Sequence, residues 1–137
     1  MNEEEIRKNI YLLQRHQEQM EDTYAQIDMI ERLIREHDRT VETLQEMIEM
    51  EKGKEVLMPV GGNVFAKAVI KDAENVMVNV GGNVFIEKPI NGAIDFIKKK
   101  IEELKKNEEK LVKMAEDIRQ RMEEISQKIR KEDVQVS

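Results

Sequence analysis

Hydrophobic and polar residues follow two periods along this chain of 137 residues. From Val56 to Lys88 the period is two. Val56, Met58, Val60, Val64, Ala66, Ala68 and Ile70 fall on one face, followed by Val76, Val78, Val80, Val84 and Ile86. Leu57, Phe65, Val69, Met77 and Phe85 point the other way. Within this stretch Val-Gly-Gly-Asn-Val-Phe occurs twice, at 60–65 and 80–85, a repeat of 20 residues. Gly and Asn accept the positive φ that a tight reversal needs, and β-branched residues favour the pleated strands on either side. The pattern predicts two tandem β-hairpins, with strands near 55–60, 64–71, 76–80 and 83–88, joined by residues 71–75. Apolar side chains on both faces of so small an insert cannot all be buried within it, and its edges are unpaired. The insert therefore calls for a partner, and Val60, Val64, Phe65, Ala66, Ala68, Val78, Val80, Val84, Phe85 and Ile86 are the residues expected to meet it.

On either side the period is that of a coiled coil. The first helix is predicted to begin after Asn2, which with Glu5 has capping-box spacing, and to run until Gly53, the first helix-breaking residue. Ile6, Ile10, Leu13, Gln17, Met20, Tyr24 and Ile27 follow in steps of four and three. The series then resumes as Ile30, Ile34, His37, Val41, Leu44 and Ile48. The change of phase predicts a stammer near residues 28–31. The second helix is predicted to start near Asn91 as N-cap. Its seam is regular: Ile90, Ile94, Ile97, Ile101, Leu104, Glu108, Leu111, Ala115, Ile118, Met122, Ile125 and Ile129. Glu102–Lys106, Glu109–Lys113, Asp117–Arg121 and Glu124–Lys128 are acid-first pairs at i,i+4 on its outer faces.

Two helices of similar length separated by a small β insert predict an α+β, mostly α, chain. It is a long antiparallel two-helix coiled coil with two β-hairpins at one end. The expected divisions are 1–53, 54–90 and 91–137. Ile48 would lie near Ile94, and Leu13 near Ile129.

Composition fits this reading. Charged residues are 38% of the chain, aromatics 4%, and Trp is absent. That is too little apolar bulk for a compact core and suits solvated helices. A net charge of −6 argues against nucleic acid or an anionic membrane as principal partner. Without cysteine there are no disulfides and no thiolate metal sites. No run of about 18 apolar residues is present to cross a membrane. The acidic start, Met-Asn-Glu-Glu-Glu-Ile, lacks an apolar signal region and predicts a cytoplasmic protein.

No catalytic constellation emerges. Gly61-Gly62-Asn63 leads into a strand rather than into Lys-Ser/Thr and a helix, so it is not a phosphate-binding loop. His16 and His37 lie 21 residues apart on one helix and read as solvated or seam-adjacent rather than as metal ligands. The carboxylates sit on solvated faces, without the sheltered pocket that acid–base chemistry needs. No enzyme activity, metal or cofactor is predicted.

The chain resembles the α class of prefoldin subunits over essentially its whole length. The resemblance is carried by Leu57 to Ala68 (Leu-Met-Pro-Val-Gly-Gly-Asn-Val-Phe-Ala-Lys-Ala), by Val76 to Glu87, and by Ala93-Ile94-Asp95-Phe96-Ile97-Lys98-Lys99. Two hairpins rather than one mark the α class. The resemblance implies an archaeal-type subunit of a hexamer with two α-type and four β-type subunits. It implies ATP-independent capture of unfolded polypeptides at the coil tips and transfer to a group II chaperonin. Carried onto this sequence, the tips correspond to Ile6, Ile10, Leu13, Ile118, Met122, Ile125 and Ile129. These residues have two readings: they hold the coil shut, or they present apolar surface when its end frays. Phe65 and Phe85 likewise either anchor a subunit interface or pack onto the helix junction. Two other functions stay open. One is a structural protein of the same type that self-assembles into filaments. The other is an adaptor that recognises one folded partner.

Overall fold

The computed structural model describes residues 2–50 and 53–136, with side chains described as far as residue 131. The elements are α1 (Glu3–Ile48), β1 (Glu55–Gly61), β2 (Val64–Val69), β3 (Asn75–Gly81), β4 (Val84–Pro89) and α2 (Ile90–Val136). The chain divides into two bodies. One joins Met1–Ile34 with Glu103–Ser137, and the other is Arg35–Glu102. In each body a stretch of α1 accompanies a stretch of α2, the start of one helix with the end of the other.

The N-terminus of α1 is capped as its sequence predicts. Asn2 Oδ1 accepts from the Glu5 amide at 2.8 Å, and the Asn2 carbonyl accepts from the Ile6 amide at 3.1 Å. Glu3, Glu4 and Glu5 complement the positive helix end. The C-terminus differs from expectation. The helix stops at Ile48, where Glu49 and Met50 donate three residues back, to Glu46 and Met47, and tighten the last turn. Gly53 does not cap it, but stands at φ +87° before β1.

The seam of α1 corrects the predicted one. A continuous series of buried and half-buried positions runs Ile6, Asn9, Leu13, His16, Met20, Thr23, Ile27, Ile30, Ile34, His37, Val41 and Leu44, with Leu12 and Met47 half-buried beside it. The steps alternate three and four without interruption, so there is no stammer. Ile10, Gln17, Tyr24 and Ile48, assigned to the seam by their sequence spacing, are exposed. Asn9, His16 and Thr23 take the inward positions instead. Every residue predicted for the seam of α2 is buried or half-buried.

That second helix begins directly at Ile90, with no turn between it and β4, so Asn91 is inside the helix and is not its N-cap. The Ile90 amide donates to the Glu74 carbonyl at 2.9 Å, which ties the helix start to the residue just before β3.

Each hairpin is a separate two-stranded antiparallel sheet. β2 ends at Val69, two residues short of the expected end. Gly62 (φ 56°) with Asn63 (φ 62°), and Gly82 (φ 56°) with Asn83 (φ 60°), form two-residue reversals with both central residues left-handed. This is the type I′ turn, whose twist matches that of the strands. In each hairpin the register shifts by one residue just before the turn, between Pro59 and Gly61 and between Asn79 and Gly81. Asp72 organises the link between the hairpins, its Oδ1 accepting from the amides of Glu74 (2.8 Å) and Asn75 (3.2 Å).

Candidate assembly and binding surfaces

In the body formed by Arg35–Glu102, the two hairpins expose most of their apolar residues. The Ile70 amide donates to the directly opposed Lys54 carbonyl, as Ile90 does to Glu74. Hydrogen-bonded pairs in an antiparallel ladder recur every second residue. Even-numbered residues therefore turn their backbone groups into the hairpin, and odd-numbered ones turn theirs outward. The side chains of the two sets lie on opposite faces.

On the even face, Val56, Ala66, Ala68, Ile70, Val76 and Val78 are half-buried, whereas Met58, Val60, Val64, Val80, Val84 and Ile86 are exposed. Cover is thus confined to the part of each hairpin away from its turn. On the odd face Phe65 is 55% exposed and Phe85 57%. They hold equivalent places, Phe65 opposite Pro59 and Phe85 opposite Asn79. At the start of α2 lies the half-buried Phe96, whose ring is 5.2 Å from the ammonium of Lys88 in β4 and 4.7 Å from that of Lys100. These cation–π contacts hold the end of the second hairpin to the first turns of α2.

Asn79 adds a difference between the hairpins. Its Oδ1 accepts from the Gly81 amide at 2.9 Å and braces the second turn. Pro59, its counterpart in the first hairpin, has no side-chain acceptor.

In the other body, the predicted tip residues divide. Ile6, Leu13, Met122, Ile125 and Ile129 are half-buried, Ile118 is buried at 8% exposure, and Ile10 is open at 45%. Most of them therefore hold the seam. Sequence periodicity missed a second apolar population outside it: Tyr11, Tyr24, Met29, Val112 and Met114, all exposed. Retracing the uninterrupted three–four spacing back from Ile34 and Ile30 would have put Thr23, His16 and Asn9 inward and left Tyr24 and Ile10 outside.

Thr23 and Ile118 line one groove of about 460 Å³ with Gln19, Asp22, Gln26, Met114, Asp117 and Arg121. Its walls mix amide, carboxylate, guanidinium and thioether groups. His16 lies one step towards the N-terminus along the seam, with its Nδ1 3.2 Å from Gln19 Oε1. On the outer face of α2, Arg119 reaches Glu116 at 2.6 Å and Glu123 at 3.1 Å. The Glu116 carboxyl is held below its ordinary range, first by the hydrogen bond from Arg119 and then by its charge. The four acid-first pairs predicted on α2 are not among the ion pairs of the described residues. Among those residues no three His, Cys, Asp or Glu side chains gather as a metal site, and no helix is long and apolar enough to cross a membrane.

Comparison with known proteins agrees with this architecture. The Prefoldin subunit family model matches residues 4–135. The prefoldin subunit alpha of Archaeoglobus fulgidus is 32% identical over 105 residues, 74% of this chain and 77% of the relative. That of Pyrococcus horikoshii is 29% identical over 103 residues, 74% of this chain and 70% of the relative. A cryo-EM structure of filamentous PFD from Methanocaldococcus jannaschii superposes with a TM-score of 0.78 at 22% identity, covering 86% of this chain and 98% of that one.

Proposed function

The chain belongs to the prefoldin family, and we propose that it is an α-type subunit holding unfolded polypeptides without ATP. Prefoldin subunits are chaperones, and they work as oligomers with other prefoldin subunits. The finer reading has three parts. The hairpins join β-type subunits in an assembly of two α and four β chains. The helical body of Met1–Ile34 and Glu103–Ser137 contacts the client. The client then passes to a group II chaperonin.

The observation that carries this reading is the exposure of apolar residues on the odd face of both hairpins and, towards their turns, on the even face as well. An apolar surface of that kind is unusual on an isolated soluble chain and marks an interaction site. Support for client contact is the open set Ile10, Tyr11, Tyr24, Met29, Val112 and Met114. Their scatter among charged residues gives adhesion without shape, which suits partners of varied sequence. Met is especially adaptable in such contacts. The half-buried seam residues Ile6, Leu13, Met122, Ile125 and Ile129 would add to this surface whenever the helix ends separate.

Two measurements test the reading. Light scattering of the chain alone and mixed with a β-type prefoldin subunit should give a discrete species near six subunits only in the mixture. Deleting residues 1–14 and 124–137 should then leave that species intact and reduce its suppression of aggregation of a denatured model protein. A chain indifferent to the β-type subunit would overturn the assembly assignment. A truncated particle that suppresses aggregation as well as the full one would overturn the client assignment.

A further inference from the structure

Asn91 and Gly92 form the one Asn-Gly pair in the chain. They are the second and third residues of α2, which starts directly from β4 at Ile90. The residues on either side are firmly anchored: Ile90 is 3% exposed, Ala93 1% and Ile94 7%. Asn91 is exposed between them, and Gly92 is half-buried. The turn that holds the pair has little else to secure it. α1 begins with a side-chain cap at Asn2 and with Glu3, Glu4 and Glu5, whereas the first turn of α2 has no acidic residue. Gly92 brings the backbone freedom that makes glycine a weak helix former. Four residues before it stands Lys88, which belongs to β4, so the Gly92 amide lies in the turn whose N–H groups lack the regular helical acceptor.

We propose that Asn91 is a deamidation site, converted to aspartate and isoaspartate when the first turn of α2 opens. The Gly92 amide nitrogen attacks Cγ of Asn91. A bond forms between them, the nitrogen gives up its proton, and Nδ2 leaves as ammonia. The product is a cyclic succinimide, which water then opens. Addition at Cγ breaks the new bond and leaves aspartate in an ordinary chain. Addition at the main-chain carbonyl breaks the original peptide bond and leaves isoaspartate, with the chain running through Cγ. Water is the co-reactant, and nothing is oxidised or reduced. Helical φ and ψ hold the two reacting atoms out of line, so the closed turn protects the pair and its opening sets the rate.

Glycine is what singles out this asparagine. It has no Cβ to crowd the attacking nitrogen, and it takes up the ring conformation freely. Asn63 and Asn83 are exposed and left-handed, but Val64 and Val84 follow them, and a stiff β-branched neighbour shields the nitrogen. Asn75 and Asn79 are also followed by valine. The two products differ in consequence. Aspartate supplies the acidic group that the helix start lacks. Isoaspartate lengthens the main chain between Ile90 and Ala93, both fixed by burial, and so loosens the start of α2.

The test is incubation of the full-length chain in mildly alkaline buffer, native and in urea, followed by peptide mapping by mass spectrometry. Transfer of labelled methyl groups by a protein-isoaspartate methyltransferase identifies isoaspartate. Asn91 should be the first asparagine of the native chain to convert, with isoaspartate among the products, and conversion should be faster in urea. Gly92→Ala should lose the conversion in both conditions. That variant should fold, because a Cβ at Gly92 meets only Pro89 Cδ, at 3.8 Å. The aged isoaspartate chain should melt below an Asn91→Asp chain. Native conversion at Asn63 or Asn83 ahead of Asn91 overturns the proposal. So does a native chain that keeps Asn91 intact while the unfolded chain converts it, and so does a Gly92→Ala chain that deamidates at the wild-type rate. An equal rate in urea overturns protection by the closed turn. Equal melting of the isoaspartate and aspartate chains overturns the loosening of α2.

Discussion

The hydroxyl of Thr23 donates to the main-chain carbonyl of Gln19 at 2.7 Å, one helical turn back. With that bond made, Thr23 sits 4% exposed in the groove it shares with Ile118. A polar group in a coiled-coil seam fixes register at some cost in stability. The carbonyl already accepts a helical hydrogen bond, so the hydroxyl is tolerated there rather than needed. Thr23→Val keeps the shape, replaces the hydroxyl with a methyl, and should stabilise the helix pair by about 0.5–1 kcal/mol. The expected rise in Tm is a few degrees for a chain of this size. Thermal unfolding followed by circular dichroism checks it, and a fall in Tm would show that the hydroxyl contributes more than a satisfied bond.

Glu108 makes a sharper case on α2. It lies in the seam between Leu104 and Leu111, and its Oε2 is buried without a hydrogen-bond partner. A buried carboxylate oxygen left unpaired costs about 1–3 kcal/mol. Glu108→Leu should therefore stabilise the chain by about 1–2 kcal/mol, read from the midpoint of urea unfolding. A seam made fully apolar at this layer also loses a marker of register. Wrong pairings, seen as broadened unfolding or altered mass, are expected to rise with the gain in stability.

Arg119 links Glu116 and Glu123 on the exposed face of α2, and it governs a small acid dependence. The carboxyl value of Glu116 is lowered in the folded chain by Arg119. A carboxylate so depressed adds stability above its unfolded value, and that stability fades as pH falls through the lower, folded value. Arg119→Ala should lower Tm slightly at neutral pH and have no effect once the medium is acid enough to protonate Glu116. Because the pair is exposed, salt should shrink the difference too. A Tm difference that persists in acid would point to packing of the arginine stem as the cause.

How much of this was legible before the fold was known depended on where the sequence punished error. The hairpins were legible because Gly62-Asn63 and Gly82-Asn83 are among the few pairs that accept two successive positive φ values. The seam of α2 was legible because eleven of its twelve positions are apolar and spaced without a break. The seam of α1 was not. Ile10 and Tyr24 are apolar and sit one residue beyond Asn9 and Thr23, so choosing apolar residues over constant spacing moved the stripe. The physical winner was continuity. A helix cannot jump phase without overwinding, and burying Asn9, His16 and Thr23 costs less when their polar groups find partners, as Thr23 does at Gln19 and His16 at Gln19 Oε1. The outward edges of the hairpins were hidden for another reason. Which residues turn their backbone outward depends on the hydrogen-bond register, which Ile70 with Lys54 and Ile90 with Glu74 set.

Phe65 and Phe85 carry the last prediction. Each stands on the odd-numbered face of its hairpin with more than half its surface open. Replacing both with Asp removes two aromatic contacts and places two carboxylates where a partner must desolvate them. Charges buried without a partner at an interface are strongly unfavourable. The doubly substituted chain should therefore fail to enter a six-subunit species with a β-type partner. Both rings belong to strands, outside α1 and α2, so ellipticity at the helical minimum should stay within a few per cent of wild type. The turns do not use the rings either. Gly62 and Asn63 hold the reversal by their own backbone, and a Cβ at Gly62 would meet nothing within 4 Å, so the turn is free of neighbours that the change could disturb. Loss of assembly with helix content retained is the expected pair of results. Unchanged assembly would move the interface to the even face, where Val64 and Val84 are the next residues to substitute. Loss of both together would mean that the hairpins fold only with their partners, and a single Phe85→Asp chain would then separate the two contributions.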